Sequence, residues 1–178
     1  MNVTPENALF LRDVYVAQLE KEHQALLGLV KAMPDDKLTY KPDDRNMDFG
    51  SLARHIAESG QFFAKTIVDG QVMMDGQPPE APPMPSTGAG LAAELETHFE
   101  ATMKAFKGFD ADQLCRNIDF FGMGDHAGVF YINWYIVHMI HHRGQLTTYM
   151  RVAGAKVPSV YGPTMDVTFE DMMEGQGS

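Results

Sequence analysis

One stretch of the chain, residues 133–151, constrains the fold more than any other. It contains no proline and a single glycine, and its apolar residues are spread almost all the way round a helical projection. This pattern is typical of a helix that is buried on most sides, in a helix bundle or at a subunit interface. The same stretch contains His138 and His142, four residues apart. The sequence therefore predicts a mostly buried helix that carries two histidines.

The spacing of His138 and His142 suits a shared metal ion. Residues four apart on a helix are separated by about 40° around the axis and about 6 Å along it, so both imidazoles can face one ion. His141 lies about 100° from His142 and cannot share this geometry. The pair by itself is equally compatible with partly buried histidines that make ordinary hydrogen bonds. A metal site therefore requires a third ligand from elsewhere in the chain.

Length and composition exclude several classes of protein. The 178 residues suffice for a single domain, 1–178, with a substantial core. With 14 basic and 24 acidic residues, the net charge of −10 opposes binding to nucleic acid. The lone cysteine, Cys115, can form no internal disulfide, as is usual in the reducing cytoplasm. Neither a signal peptide nor an apolar run of the ~18 residues that span a membrane is recognisable. We therefore expect a cytoplasmic protein without a nucleic-acid or membrane partner.

Capping residues and helical periodicity predict four helices. Thr4 and Pro5 suit the start of the first helix, Ser51 that of the second, and Ser86 or Thr87 that of the third. Asp69-Gly70 and Gly154 suit the ends of the second and fourth helices. The predicted helices span about residues 4–33, 51–68, 88–107 and 128–152.

The connecting segments differ in composition. Half of the prolines lie in residues 70–87, which predicts a long surface crossover. Residues 108–128 read as irregular, with a turn or small hairpin at 120–125. A tail follows over residues 155–178. These segments and helices together predict an all-α fold, a four-helix bundle with one long crossover and a C-terminal extension.

Two further residues of the helices bear on the site. His55 lies on the inward stripe of the second helix, where a lone histidine is more often structural than a ligand. Gly60 in the same helix costs about 1 kcal/mol relative to alanine, which predicts close approach by another helix or a bound group.

His23 lies in the polar segment 21–24, so we expect it to be solvated. The sequence assigns no role to the remaining histidines, His98, His126 (in the predicted loop) and His141.

Bundle cores are where side chains from different helices build metal sites. A di-iron carboxylate site needs Glu-x-x-His motifs, and the nearest match, residues 55–58, has the reverse order. The fourth helix has no acidic residue between Phe130 and Arg151, and the H-E-x-x-H motif is absent. What remains is a set of three neutral imidazoles, from His55, His138 and His142.

The segment 137–146, with the sequence VHMIHHRGQL, resembles the signature of the DinB/YfiT-like family of metalloenzymes. The resemblance extends to about residues 5–163. It includes Tyr149-Met150-Arg151, Gly154 and Val157-Pro158, and residues 52–56 (LARHI) in the second helix. It implies an up-down-down-up four-helix bundle, frequent homodimers, and a divalent metal held by three histidines. Carried over to this chain, the metal ligands are His55, His138 and His142. Many relatives have an acidic residue where this chain has Met139, so an acid at that position is absent here.

Several neighbours of these histidines are candidates to support the ligands. Gln145 follows His142 by three residues on nearly the same helix face, and Ser59 lies on the inward stripe of the second helix. Arg143 could act there too, but Arg143 and Gln145 could instead tie helices or a dimer together. We expect Gly144 to permit close helix packing.

The three-histidine site indicates a class of chemistry. Three neutral ligands leave a divalent ion's charge uncancelled, and such an ion can acidify bound water or bind and deprotonate a thiol. Similar proteins include transferases and isomerases that use low-molecular-weight thiols, so the resemblance implies transfer of such a thiol to an electrophilic small molecule. The alternatives are a metal-dependent hydrolase and a non-catalytic, metal-binding stress-response dimer. We expect zinc or nickel as the metal, with iron or manganese as alternatives.

The fourth helix also predicts a homodimer. It has more apolar surface than one bundle core can cover, and exposed apolar patches of this kind usually mark partners. The residues concerned are Phe130, Trp134, Val137 and Ile140.

Overall fold

A computed structural model of the chain describes residues 3–72 and 82–174. Four long helices dominate it, with two short helices and a small hairpin between or after them. In chain order the elements are α1 (Pro5–Ala32), α2 (Phe49–Asp69), α3 (Gly88–Gly108), α4 (Ala111–Cys115), β1 (Asn117–Asp119), β2 (Asp125–Ala127), α5 (Val129–Val152) and α6 (Phe169–Glu174), and a 3-10 turn spans Asp35–Lys37. The predicted all-α architecture is confirmed. Among the described residues, no helix is both long and apolar enough to cross a membrane.

The packing of the four long helices defines the topology. Helix α1 packs against α3 and α5, and so does α2, which leaves α1 and α2 on one diagonal of the bundle. Helices α2 and α3 run parallel, because Arg54 pairs with Glu94 and, further along both helices, Gln61 contacts His98. Such parallel neighbours require the long crossover that joins α2 to α3.

The directions of the other helices follow from contacts at their ends. Arg12, near the start of α1, donates a hydrogen bond to the carbonyl of Phe109 at the end of α3, so these helices are antiparallel. Helix α5 runs opposite to α2. His55, in the first half of α2, lies against His142 in the second half of α5. The end of α2 accepts a hydrogen bond from Arg116, which precedes α5. The arrangement is therefore up-down-down-up, as predicted.

The helix ends agree with most of the capping predictions. Thr4 and Thr87 accept hydrogen bonds from the first turns of α1 and α3, and Gly70 ends α2 in the left-handed conformation at φ 70°. The prediction of Ser51 as the cap of α2 is wrong. Asp48 is the cap, and its carboxylate accepts hydrogen bonds from the amide of Ser51 at 2.8 Å and from its hydroxyl at 2.9 Å. The helix therefore begins two residues earlier than predicted.

The segment between α3 and α5 is more regular than its composition indicates. Asp110 and Gln113 form a capping box that starts the short helix α4. The predicted hairpin is confirmed, since β1 and β2 pair antiparallel with Ile118 opposite His126. His126 thus lies in a strand, where a loop was expected. Of the predicted crossover, residues 82–87 form a loop, while residues 73–81 lie outside the described residues.

The hairpin covers part of the apolar surface of α5. The ring of Phe120, which follows β1, packs edge-on against Trp134 with 4.7 Å between ring centroids. Trp134 is consequently half-buried, Phe130 is half-buried as well, and Val137 remains 56% exposed. The homodimer stays a prediction, and the apolar surface available for it is smaller than the sequence indicates.

Three residues of the helices test the predicted packing. His23 is only 5% exposed and its ring stacks on Phe99 at 3.7 Å, so the prediction that it is solvated is wrong. A Cβ atom on Gly60 would lie 2.7 Å from Thr102 and 2.8 Å from Tyr135, which confirms the close helix approach predicted there. Gly144 is exposed, and no described atom lies within 4 Å of where its Cβ would be, so the close packing predicted there is wrong.

Candidate metal centre

The adjacent helices α2 and α5 bring three histidines together. His55 comes from α2, and His138 and His142 come from successive turns of α5. One ring nitrogen from each lies within 4.8 Å of the other two. The ring centroids are 4.9 Å apart for His55 and His138, 5.0 Å for His55 and His142, and 4.4 Å for His138 and His142. Three half-buried imidazoles therefore converge on one point.

Local sequence explains this convergence. The four-residue spacing places His138 and His142 on one face of α5. Leu52 and Ile56 are buried and lie on the same side of α2 as His55, so this side of the helix faces the bundle. Gly60 lies further along α2, and its lack of a side chain allows Tyr135 of α5 to approach closely. The separation of α2 and α5 near the site thus depends on a glycine.

The surroundings of His55 and His138 favour their neutral forms. Burial, together with the neighbouring His142, His55 and His141, lowers the pKa of His138 to about 4. Burial and His142 also lower the pKa of His55 below its ordinary value. A neutral imidazole has the free lone pair that a metal ion requires, so the protonation state at neutral pH is the one that binds metal.

One ring nitrogen of His138 lacks a hydrogen-bond partner in the described part of the chain. The Nε2 atom of His138 is buried and has no hydrogen-bond partner among the described residues. Leaving such a group unpaired costs about 1–3 kcal/mol, and a coordinated cation would remove that cost. The donor set, its neutral charge state and this unpaired nitrogen all fit a divalent ion bound by His55, His138 and His142.

The predicted supporting residues differ in what they touch. The Nδ1 atom of His142 lies 2.6 Å from the amide oxygen of Gln145. Because that oxygen only accepts, Nδ1 carries the proton and Nε2 keeps its lone pair for a metal. Ser59 donates its hydroxyl hydrogen bond to the backbone carbonyl of His55 at 2.6 Å and acts on the helix, not on the ring.

Arg143 ties parts of the chain together. Its guanidinium is buried and forms an ion pair with Glu22 of α1, which is also buried. It also donates to the hydroxyl of Tyr161 in the tail, which in turn donates to Glu22 at 2.8 Å. A buried arginine must be paired in this way, since an uncompensated charge in the core is strongly destabilising. The interaction thus joins α1, α5 and the tail, in line with the alternative role considered for Arg143.

The other histidines considered in the sequence lie outside the nitrogen cluster of the described residues. His98 lies 2.9 Å from the side-chain nitrogen of Gln61. His126 packs its ring on Trp134 at 4.8 Å, and the exposed His141 lies 4.9 Å from the ring of His142.

Sequence reasoning missed a cavity of about 580 Å³ beside the cluster. His138 forms part of its wall, and most of the remainder is aromatic or aliphatic. The only signal in the sequence was the surplus of apolar residues on the fourth helix, which was interpreted as a dimer interface.

The chain is similar in sequence to two proteins of one bacterium. The chain is 30% identical over 156 residues to YrdA of Bacillus subtilis (strain 168), an alignment covering 86% of this chain and 90% of YrdA. It is 29% identical over 129 residues to YjoA of the same organism, covering 71% and 80%.

Two crystal structures have a similar fold. The DinB-like protein YjoA of Bacillus subtilis matches with a TM-score of 0.64 at 25% identity, over 82% of this chain and 96% of that one. A DinB-like protein of Bacillus cereus ATCC 10987 matches with a TM-score of 0.67 at 23% identity, over 90% and 100%. The model of the DinB family matches residues 4–172. The chain therefore belongs to the DinB family.

Proposed function

We propose that this protein is a metal-dependent enzyme that transfers a low-molecular-weight thiol to an electrophilic small molecule. The observation that carries the proposal is the convergence of three imidazole nitrogens within 4.8 Å. Among the described residues the cluster contains no carboxylate, and its three histidines are half-buried.

His55, His138 and His142 would hold the ion. Imidazole ligands suit zinc, nickel and iron, and we propose zinc or nickel, with iron or manganese as alternatives. When bound by three neutral ligands, a divalent ion supplies an uncancelled positive charge that lowers the pKa of a thiol in the same site. In the transfer, the thiol loses its proton to solvent, its sulfur forms a bond to the electrophilic carbon, and any leaving group departs with the electrons of the broken bond.

Residues of the chain prepare the site for this chemistry. The amide oxygen of Gln145 accepts a hydrogen bond from the Nδ1–H group of His142 and so holds the ring in one tautomer and orientation. Phe63 packs edge-on against His138 with 6.1 Å between ring centroids, which places an apolar group beside the cluster. Apolar surroundings strengthen the attraction between a cation and a thiolate.

Two other functions are less well supported. A metal-dependent hydrolase normally needs a carboxylate as general base beside the reacting water, and the cluster of the described residues has none. A purely structural metal site is normally closed, with four protein ligands, whereas this cluster has three and is half-exposed. Hydrolysis and simple metal binding remain the outcomes against which thiol transfer is tested.

The test uses purified protein loaded with Zn²⁺ or Ni²⁺. Glutathione, mycothiol and bacillithiol are each mixed with 1-chloro-2,4-dinitrobenzene, and the conjugate is quantified. We expect one thiol to react faster with the metal-loaded protein, and His142→Ala to lower that rate at least about 100-fold because it removes a ligand. His98→Ala, which changes a histidine outside the cluster, should retain it. Failure of all three thiols with metal demonstrably bound would contradict the proposal.

A further inference from the structure

The cavity beside the histidine cluster has a wall of unusual composition. Its apolar lining consists of Phe63, Phe120, Met123, Trp134 and Val137. The imidazoles of His126, His138 and His141 complete the wall, and His138 belongs also to the nitrogen cluster. We call it the aromatic pocket. It is an open depression with space of about 580 Å³, in which a small molecule could lie against the wall. A molecule in the aromatic pocket is therefore next to one of the three proposed metal ligands.

The central wall of the aromatic pocket is held in place by the fold. The indole of Trp134 contacts three other rings, Phe120 at 4.7 Å, His126 at 4.8 Å and Tyr131 at 4.8 Å between centroids. Phe120 and His126 come from the hairpin region, so the hairpin packs over α5 and fixes the indole. A pocket wall that is already ordered loses little entropy when a ligand binds.

The chemistry of the lining indicates what the pocket binds. Among the described residues that form it, none carries a carboxylate, an ammonium or a guanidinium group. Two apolar side chains of the lining are exposed to water, Met123 at 70% and Val137 at 56%. An uncharged apolar group that covers them would gain about 25 cal/mol for each Å² of apolar surface removed from water.

We infer that the aromatic pocket binds the uncharged aromatic or aliphatic part of the electrophilic substrate, so the enzyme prefers apolar electrophiles. This inference rests on the proposed function, because it identifies one side of the cluster as the entrance for the electrophile. Trp134 and Val137 were also part of the surface predicted for a homodimer. A second copy on this face would cover the same side chains, so it is the competing outcome.

Binding can be measured without any reaction. Trp134 is the only tryptophan of the chain, so intrinsic fluorescence reports on this pocket alone. The probe is bromobenzene, which lacks an activated leaving group and whose heavy atom quenches indole emission. We expect saturable quenching with and without EDTA, and a dissociation constant at least about tenfold higher in Val137→Asp, since a carboxylate would then face the bound ring.

Val68→Asp is the matched control. Val68 is 53% exposed on α2, almost the same as Val137 on α5, and is not part of the pocket lining. Val68→Asp should leave the dissociation constant of bromobenzene unchanged. Linear, unsaturable quenching in the wild type, or equal effects of the two variants, would overturn the inference. So would sedimentation showing a wild-type dimer that Val137→Asp dissociates, because the face would then be an interface between copies.

Activity separates this inference from the proposed function. With a series of α-chloroacetamides bearing N-methyl, N-butyl and N-benzyl groups, the KM of the metal-loaded enzyme should fall along the series, and Val137→Asp should abolish the trend. Saturable probe binding without thiol transfer would leave the pocket standing and refute the proposed function. Thiol transfer at the same KM for all three amides would support the proposed function and refute the role of the aromatic pocket.

Discussion

The Nδ1 atom of His142 and the amide oxygen of Gln145, three residues later on α5, lie 2.6 Å apart. This contact selects the tautomer whose Nε2 can bind a metal, so Gln145 should support metal affinity without touching the ion. Losing such a partner typically weakens binding about 10–100-fold, and we expect this for Gln145→Leu when Zn²⁺ is titrated against a competing chelator.

The matched control for Gln145 is Gln61→Leu, which removes a glutamine that contacts a histidine outside the cluster. It should leave the affinity for Zn²⁺ unchanged. Equal affinities in Gln145→Leu and the wild type would show that the hydrogen bond does not orient the ligand.

Metal content tests the ligands themselves. We expect about one divalent ion per chain in the purified protein, because the three donors converge on a single point. The double variant His138→Ala/His142→Ala should lose it, as measured by elemental analysis after gel filtration. His98→Ala/His126→Ala removes two histidines outside the cluster and should keep the ion. Equal metal content in the two double variants would refute the assignment.

Two glycines of the long helices should respond to alanine in opposite directions. Gly60→Ala places a Cβ atom 2.7 Å from Thr102 and 2.8 Å from Tyr135, and such overpacking typically costs about 1–3 kcal/mol of unfolding free energy. Gly144→Ala meets no described atom within 4 Å, and alanine is favoured over glycine in a helix by up to about 1 kcal/mol. Urea denaturation should therefore show a lower stability for Gly60→Ala and a higher one for Gly144→Ala. Similar losses in both variants would contradict the packing described for Gly60.

The buried His23 predicts a pH dependence of stability. Burial lowers its pKa from 6.5 to about 4, so the unfolded chain takes up a proton near pH 6.5 while the folded chain does not. The contribution of the neutral, buried His23 to the free energy of unfolding is fully present above pH 6.5. It is lost as the pH falls towards 4, which lowers the free energy of unfolding by about 3 kcal/mol. His23→Leu should make the decline in unfolding free energy between pH 7 and 4.5 shallower, and His138, whose pKa is also lowered to about 4, should maintain part of the decline.

Gln24→Leu provides the comparison for His23→Leu, because Gln24 is exposed beside it and does not titrate. This variant should retain the decline seen in the wild type. If His23→Leu declines as steeply as Gln24→Leu, His23 does not contribute to the pH dependence.

Local sequence was sufficient to predict the long helices. Their bounds follow from Thr4, Thr87 and Gly70, whose side chains or backbone freedom act within a few residues along the chain. Ser51 shows the limit of the same reasoning, because Asp48 offers a stronger acceptor only three residues earlier. The pair His138 and His142 could also be recognised, since a helix alone places them on one face.

The third member of the cluster was harder to recognise. Nothing near His55 distinguishes a ligand from an ordinary core histidine, and only the resemblance to a known family singled it out. His23 was misjudged for a related reason. Its neighbours in the sequence are polar, but α3 covers it with Phe99, and a contact between distant parts of the chain leaves no trace in the residues around it.

The sequence by itself determined the number and extent of the long helices and the two histidines on α5, because capping and periodicity are local interactions. Only the tertiary structure decided that α2 brings His55 to that pair, that Arg143 pairs with Glu22, and that the hairpin closes over Trp134 to form the aromatic pocket. These relationships join residues far apart in the chain, and they depend on how complete helices pack, on charge burial and on the space left by Gly60.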